Sequence, residues 1–215
     1  MPVDEDLWTW PAVPPVAGSV RLRAFRDADA VAARALSQDP YVPLIGTLPH
    51  RATAEQAQDW VAAQRQRLAQ RVGFSFAVAD RDTDECVGFA GLWLRHVEDG
   101  FATAGYAIVP SARGAGRATD ALRALTAFAW TRPAVQRVEL DVEPWNAASR
   151  RVAERAGYVA DGVPAWHEIG GERRDVVRYH SPERTGTDDV HPRGPAVPRA
   201  TGSTDQTTPC TREAT

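Results

Sequence analysis

A stretch in the middle of the chain, residues 105–130, constrains the fold more than any other part of the sequence. Residues 105–110, GYAIVP, form a β-rich run that ends at a proline, and residues 113–118, RGAGRA, contain two glycines. Small and apolar side chains then recur at three- and four-residue spacing, which predicts an amphipathic helix. These positions are Ala118, Ala121, Leu122, Leu125, Phe128 and Ala129. The sequence therefore predicts a strand, a glycine-lined turn and a helix N-terminus in immediate succession.

The predicted turn has the features of an anion-binding site. A helix N-terminus presents unbonded backbone N–H groups and the positive end of the helix dipole to one point in space. Gly114 and Gly116 carry no side chain that would keep a phosphate group away from that backbone. Arg113 and Arg117 add guanidinium groups, which form charge-assisted hydrogen bonds with phosphates. We therefore expect this turn to bind the phosphates of a ligand.

The elements that follow complete a specific order of motifs. Residues 138–142 alternate as a strand, residues 146–149 begin a short helix, and Gly157-Tyr158 ends it. An R-x-x-G-x-A turn followed by a strand and an N-x-x-S helix resembles the GCN5-related N-acetyltransferase (GNAT) superfamily, and within it the branch that acetylates N-terminal amines of ribosomal proteins. The resemblance spans residues 20–180. It implies an α/β (α+β) fold in which a mixed, mostly antiparallel twisted sheet with splayed central strands is flanked by helices. It also implies an acetyl-CoA-dependent N-acetyltransferase that acts on a primary amine by direct transfer, the amine being a protein N-terminus or a small molecule.

The resemblance assigns a set of residues to acetyl-CoA as co-substrate. The turn that would cradle the pyrophosphate consists of Arg113, Gly114, Ala115, Gly116, Arg117 and Ala118. The backbone N–H groups of Ile108 and Val109 are expected to bind the pantetheine arm and polarise the acetyl carbonyl. Asn146 is expected to orient that arm or a bound water, and its position also suits a helix N-cap.

Acetyl transfer from a thioester also needs a proton acceptor for the amine and a proton donor for the departing thiolate. In the ribosomal-protein branch a serine hydrogen-bonds or protonates the leaving sulfur, and Ser149 matches its position. Many relatives use a tyrosine seven residues after the asparagine, but this chain has Ala153 there, which disfavours a tyrosine acid. Counting along the final hairpin places either Glu168 or His167 at the position of the general base. Histidine suits that role at neutral pH, whereas a glutamate needs burial to raise its pKa, and both stay open.

Composition limits the classes of function. A chain of 215 residues with 43% hydrophobic content suits one domain. A net charge of −3 without a basic stripe argues against a nucleic-acid partner. The sequence contains no apolar run long enough for a membrane span and no secretory signal, so we expect a cytoplasmic protein without a membrane partner. Two cysteines and five scattered histidines lack metal-ligand spacing, so no metal is expected.

The chain divides into three segments by composition. Residues 1–17 contain Trp8, Trp10 and four prolines and read as an extended N-terminal arm. Residues 18–181 form the predicted acetyltransferase domain. Residues 182–215 are rich in Pro, Thr, Gly, Asp and Arg with few large apolar side chains, which predicts a disordered tail.

Within the domain, periodicity and turn signals predict the individual elements. Thr53 is expected to cap a helix that reaches Gln70, in a region that covers the acceptor pocket in the resembled family. A final hairpin is expected to turn at Gly170-Gly171. The other predicted elements are a helix from Asp27 to Ser37 and strands over residues 20–25, 74–79, 86–94, 101–109 and 175–179.

The sequence is compatible with two alternatives to acetyl transfer. It also leaves open whether the protein is a monomer or a homodimer. A different acyl donor such as succinyl-CoA would need a cationic residue near the thioester, for which Arg95 and Arg173 are candidates. A non-catalytic module that binds acyl-CoA for regulation would keep the phosphate-binding turn but show no turnover with an amine.

Overall fold

A computed structural model describes residues 5–169, 172–182 and 184 of the chain. Within them the chain forms four α-helices and nine β-strands. The helices are α1 (Ala30–Ser37), α2 (Ala54–Gln66), α3 (Arg117–Ala129) and α4 (Ala147–Arg155). The strands are β1 (Val16–Ala17), β2 (Val20–Arg23), β3 (Gly73–Asp80), β4 (Cys86–Trp93), β5 (Phe101–Ile108), β6 (Arg137–Val142), β7 (Val159–Ala160), β8 (Ala165–Ile169) and β9 (Glu172–His180). The turn predicted at Gly170-Gly171 and nearly all of the predicted tail, residues 182–215, lie outside the described residues.

The strands join in one sheet whose order is β1-β2-β3-β4-β5-β6-β9-β7. Strand β8 pairs with residues 172–176, the first half of β9. The β5–β6 pair is parallel and every other pair is antiparallel. The parallel pair follows from the chain's path, because α3 carries it from the end of β5 back to the start of β6. The mixed, mostly antiparallel sheet expected from the sequence is confirmed.

The two central strands separate along their length. Residues 101–103 of β5 pair with residues 137–139 of β6, and no pairing joins residues 104–108 to residues 140–142. Each strand stays paired on its other side, β5 with β4 and β6 with β9. The sheet therefore opens between β5 and β6 toward the end where β5 leads into the glycine turn, and this opening is the expected splay.

Helices cover both faces of the sheet. On one face, Phe128 of α3 packs against Phe74 and Phe76 of β3, with ring centroids 4.8 and 5.3 Å apart. On the other face, Gln64 of α2 accepts a 2.9 Å hydrogen bond from the Ser75 hydroxyl. Because neighbouring residues of a strand point to opposite faces, these contacts place α3 and α2 on opposite sides of the sheet.

The first two helices differ from their predicted bounds for local reasons. A 3-10 turn over Asp27–Asp29 precedes α1, because the buried Asp29 carboxylate accepts hydrogen bonds from the guanidinium of Arg23 at 2.7 and 2.9 Å. Thr53 caps α2 as predicted, in a reciprocal capping box with Gln56. The helix ends at Gln66 instead of Gln70, and the turns after it include Arg71 in a left-handed conformation, φ 53°.

The N-terminal segment lies against the domain. It contains a 3-10 turn over Glu5–Trp8 and the short strand β1, which pairs with β2. Leu7 is buried, and the Trp10 ring packs 4.7 Å from that of Phe76. In the part of the chain that the structure describes, no helix combines the length and apolar character needed to cross a bilayer.

Candidate active site

A cavity of about 540 Å³ lies between the α1–α2 connection and the splay. Its walls come from residues 41–48, the end of α2, β4, the diverging parts of β5 and β6, the start of α4, and β8. Its lining includes Asn146, Ser149 and His167, so the structure brings three of the predicted site residues to one space. On another wall, the indole of Trp93 lies over the paired glycines Gly91 and Gly105.

The backbone of β5 presents hydrogen-bonding groups to the splay. The N–H of Val109 donates to the Val87 carbonyl oxygen at 2.9 Å, which makes these two a hydrogen-bonded pair between antiparallel chains. Such pairs alternate along a ladder, so the N–H groups of Ile108 and Tyr106 point away from β4, toward the edge that β6 leaves. Ile108 therefore has the orientation expected for a cofactor contact. The N–H of Val109 is already used inside the sheet, which corrects the expectation for Val109.

The turn at residues 113–118 has the predicted backbone geometry. Gly114 and Gly116 adopt φ of 84° and 80°, a region that favours glycine, and the space where a side chain would stand is open at both. Gly116 is the N-cap residue of α3. No described residue accepts a hydrogen bond from the backbone N–H groups of Gly114, Ala115, Gly116, Arg117 or Ala118. The N-terminus of α3 thus presents several N–H donors to an open surface, which suits a pyrophosphate.

The two arginines of this turn already have carboxylate partners. Arg113 donates to the Ile108 carbonyl oxygen at 2.9 Å and to Asp39 at 2.7 Å. Arg117 pairs with Asp80 at 2.9 Å and lowers the pKa of that carboxyl. Burial acts to raise the pKa of Asp39, but hydrogen bonds from the Tyr41 N–H and from Arg113 outweigh it, and the net pKa is lowered. Direct phosphate contacts by these arginines stay a prediction.

Asn146 and Ser149 are linked at the start of α4. Asn146 is the N-cap, and its Oδ1 accepts a 3.1 Å hydrogen bond from the Ser149 N–H. The Tyr106 hydroxyl donates to the Ser149 carbonyl oxygen at 3.4 Å, and burial raises the pKa of Tyr106 to about 12. The Ser149 side chain also interacts with the Tyr106 hydroxyl, and Ser149 lines the cavity. The geometry suits a serine that reaches a group bound in the splay.

The structure separates the two candidate bases. His167 lines the cavity, and its Nδ1 lies 3.7 Å from Oδ2 of Asp141. The Asp141 carboxylate is also held by two hydrogen bonds from Arg178, at 2.9 and 3.2 Å. Glu168 follows His167 in β8 and points to the opposite face, where it is exposed and outside the cavity lining. Of the two candidate bases, His167 is therefore the one that lines the cavity.

Several residues of the site carry no role in the sequence analysis. Tyr41 lies at the cavity wall, with its ring 4.8 Å from that of Trp145 in an edge-to-face arrangement. Burial, followed by the neighbouring Glu143 carboxylate, raises the pKa of Tyr41 well above its usual range. Glu143 is itself buried, 3.4 Å from a guanidinium nitrogen of Arg174. Glu143 and Trp145 belong to the sequence E-P-W-N that precedes α4, but nothing in the local sequence predicts that they contact Tyr41.

Tyr158 does not line the cavity, although it lies near Tyr106, which does. Its side chain is buried, and its hydroxyl lies 2.7 Å from Oγ1 of Thr126 on α3. Burial raises the pKa of this hydroxyl above its usual range. Tyr158 therefore joins α3 to the end of α4 as a packing residue, and Ala153, where many relatives carry the acidic tyrosine, is fully buried.

Comparison with known proteins agrees with this fold and site. Residues 19–159 match the acetyltransferase (GNAT) domain family, and the chain belongs to that family. It is an acyltransferase, an acetyl-CoA-dependent N-acetyltransferase, and the resemblance to the GNAT superfamily stated from its sequence motifs is confirmed.

Individual relatives are distant in sequence. The chain is 25% identical over 125 residues to an uncharacterized N-acetyltransferase, p20, of Bacillus licheniformis, which covers 58% of this chain and 70% of that protein. A candidate ribosomal-protein-serine acetyltransferase of Vibrio cholerae has a TM-score of 0.67 and 21% identity, over 80% of this chain and 98% of that one. The ribosomal L7/L12 α-N-protein acetyltransferase RimL, solved with coenzyme A, has a TM-score of 0.63 and 19% identity, over 77% of this chain and 95% of that one. At these identities the two structures establish the shared fold.

Proposed function

We propose that this N-acetyltransferase moves the acetyl group in one step from acetyl-CoA to a primary amine bound in the cavity. The observation that carries the proposal is that Asn146, Ser149 and His167 line one cavity together with the unpaired part of β5. A polarising N–H group, a hydroxyl and an imidazole at one place meet the needs of acyl transfer from a thioester. The cytoplasmic location expected from the sequence, and action as a monomer or homodimer, belong to the same proposal.

In this proposal the co-substrate lies along the open edge of the sheet. Its pyrophosphate binds the backbone N–H groups between Gly114 and Ala118, at the positive end of α3. Its pantetheine arm follows the splay, where the Ile108 N–H meets it and the Asn146 side chain orients it. Arg113 and Arg117 lie in the same turn, but each guanidinium is already paired with a carboxylate, so the backbone N–H groups make the main contact with the phosphates.

The chemistry assigns one proton to each side chain. The amine nitrogen bonds to the acetyl carbon, and the carbon–sulfur bond breaks. The proton that the amine loses passes to the imidazole of His167, which Asp141 faces. The departing sulfur takes a proton by way of the Ser149 hydroxyl, which recovers one from solvent water as it gives its own away. Main-chain N–H groups on the open edge of β5 stabilise the negative charge that develops on the carbonyl oxygen.

The acceptor is a protein N-terminus or a small-molecule amine. RimL and the Vibrio cholerae protein carry names that specify ribosomal-protein acceptors. That supports an N-terminal peptide as the first acceptor to test, followed by polyamines, amino acids and aminoglycosides. Because one fold serves many acceptors, the panel decides among them.

The test is thiol release from acetyl-CoA in the presence of each acceptor. We expect His167→Gln to lower kcat by roughly 10²- to 10⁴-fold, as loss of a general base does. Glu168→Gln is the matched control on the opposite face of β8, and we expect it to stay within a few-fold of wild type. A loss confined to the Glu168 variant would assign the base to the glutamate and refute the role of His167.

The second variant is Ser149→Ala. It keeps the backbone N–H that bonds to Asn146, so α4 retains its cap. We expect kcat to fall on the order of 10²-fold with little change in the KM for acetyl-CoA. Unchanged kcat would show that the sulfur is protonated from elsewhere, and a protein that binds acetyl-CoA without turnover on any acceptor would refute the catalytic proposal.

A further inference from the structure

Three arginines line one end of the active-site cavity without carboxylate partners. Arg67 and Arg71 lie in the turns after α2, and Arg95 follows β4. Among the described residues, none of these three forms an ion pair with an aspartate or glutamate. The guanidinium groups of Arg113 and Arg174, by contrast, pair with Asp39 and Glu143. The cavity therefore has one strongly cationic end.

Arg67 is the most constrained of the three. It is half-buried, and its guanidinium donates a 3.3 Å hydrogen bond to the Thr47 hydroxyl. Burial lowers the pKa of Arg67, because its charge is partly removed from water without an anion beside it. Such desolvation is unfavourable unless a counter-charge arrives. An anion in the cavity would supply that counter-charge.

Arg71 and Arg95 reach the same end from exposed positions. The left-handed backbone of Arg71, unusual for a residue with a side chain, sets the direction from which it enters the cavity wall. Its guanidinium also lies 5.7 Å from the ring centroid of Trp8. The cavity's carboxylate, Asp141, is already held by Arg178. No lining carboxylate in the described part of the chain therefore neutralises these arginines.

The cationic end lies on the acceptor side of the reaction. Arg95 follows β4, whose Trp93 pairs with Thr103 near the start of β5. The phosphate-binding turn follows the other end of β5, after Ile108. At about 3.4 Å per residue, these two levels are roughly 17 Å apart. With acetyl-CoA bound along the splay as proposed, the acyl carbon would lie between these levels, and the arginines would face the molecule that approaches from the side opposite the CoA.

Aromatic side chains occupy the wall of the same cavity. Trp60, Phe89 and Trp93 line it, and the Trp60 and Phe89 rings meet edge to face at 5.8 Å. A bound molecule that reaches from His167 to Arg95 passes this apolar wall. The cavity thus suits a ligand with an amine at one end, an apolar middle and a negative charge at the other end.

We infer that the acceptor is a primary amine that also carries a carboxylate or phosphate, held by Arg67, Arg71 and Arg95. This inference rests on the proposed function and names its substrate class. The aromatic wall contacts the apolar part of the acceptor, while His167 receives the proton from its amine.

Matched acceptor pairs test the inference. Tryptophan is compared with tryptophan amide for the carboxylate, and tyramine phosphate with tyramine for the phosphate. We expect kcat/KM to favour the anionic member of at least one pair by tenfold or more, as charge-assisted hydrogen bonds imply. Arg95→Gln and Arg71→Gln, both at exposed positions, should remove most of that preference by raising the KM of the anionic acceptor. Arg34→Gln, an exposed arginine on α1 outside the cavity, is the matched control and should retain it.

Calorimetric binding in the presence of CoA separates this inference from the proposed function. Anion-selective binding that Arg95→Gln weakens, without any thiol release, would support the acceptor class and refute the catalytic proposal. The inference would be overturned if the charged and neutral members of each acceptor pair bind equally well, or if the arginine variants weaken the binding of both members equally. Thiol release in the same experiment would still support the proposed acetyl transfer. If Arg95→Gln instead changes only the preference for succinyl-CoA over acetyl-CoA, the arginines serve the donor and the inference is also overturned.

Discussion

Replacing Gly105 with alanine should move the Trp93 indole that forms part of the cavity wall. A methyl carbon at position 105 would lie 2.7 and 2.8 Å from Cζ3 and Cη2 of Trp93. Carbon atoms in favourable contact are about 3.5–4.0 Å apart, so the ring or the strand must shift. Overpacking of this kind costs about 1–3 kcal/mol. We expect Gly105→Ala to lower the free energy of unfolding by that amount and to raise the KM for the acceptor, because the indole moves into its space.

A double-mutant cycle isolates the ring as the cause. In a Trp93→Leu background the clash is absent, and Gly105→Ala should be neutral or stabilise the protein by about 0.4–1 kcal/mol, since alanine has fewer unfolded conformations than glycine. Urea denaturation of the four proteins should therefore give a coupling free energy of about 1.5 kcal/mol or more. Gly46→Ala, also at the cavity wall but 3.7 Å from its nearest neighbour, is the control. The same loss in both backgrounds would refute the argument.

Two further predictions concern the segments that frame the cavity. Because the pKa of Asp39 is lowered in the folded protein, its charge stabilises the fold above the unfolded-state pKa, and this contribution is lost as the pH falls through the folded pKa. The difference in the free energy of unfolding between wild type and Asp39→Asn should therefore become smaller from pH 6 to pH 3 in urea titrations. A difference that does not change with pH would contradict this prediction. Thr53→Ala removes half of the capping box of α2 and should cost about 0.5–2 kcal/mol in thermal unfolding, whereas exposed Thr83→Ala should cost less.

Local signals in the sequence were sufficient to predict most of the sheet and the glycine turn that precedes α3. The alternation in residues 138–142 and the apolar spacing of α3 depend only on neighbours within a few residues, and the structure confirms both. The positive φ of Gly114 and Gly116 follows from the same local chemistry. Asn146 is an N-cap, as its type and place before a helix indicate.

Contacts between distant residues could not be predicted in this way. Arg113 and Asp39 are 74 positions apart, and nothing in either segment shows that the guanidinium meets this carboxylate and not a ligand. The choice between His167 and Glu168 depends on the register of β8 against β9, since a shift of one residue would exchange their faces. The early end of α2 likewise depends on the turn at Arg71, which no propensity marks.

The splay between β5 and β6 has a consequence for how this enzyme tolerates mutation. The donor that we propose at Ile108 is a main-chain N–H, so among the standard residues only proline at that position deletes it outright. The features that we propose select the acceptor are side chains such as Arg95 and Trp93, which single substitutions replace. Under the proposed function, substitutions of the cavity wall away from Ser149 and His167 should therefore change the choice of acceptor while the main-chain contact to the thioester stays intact.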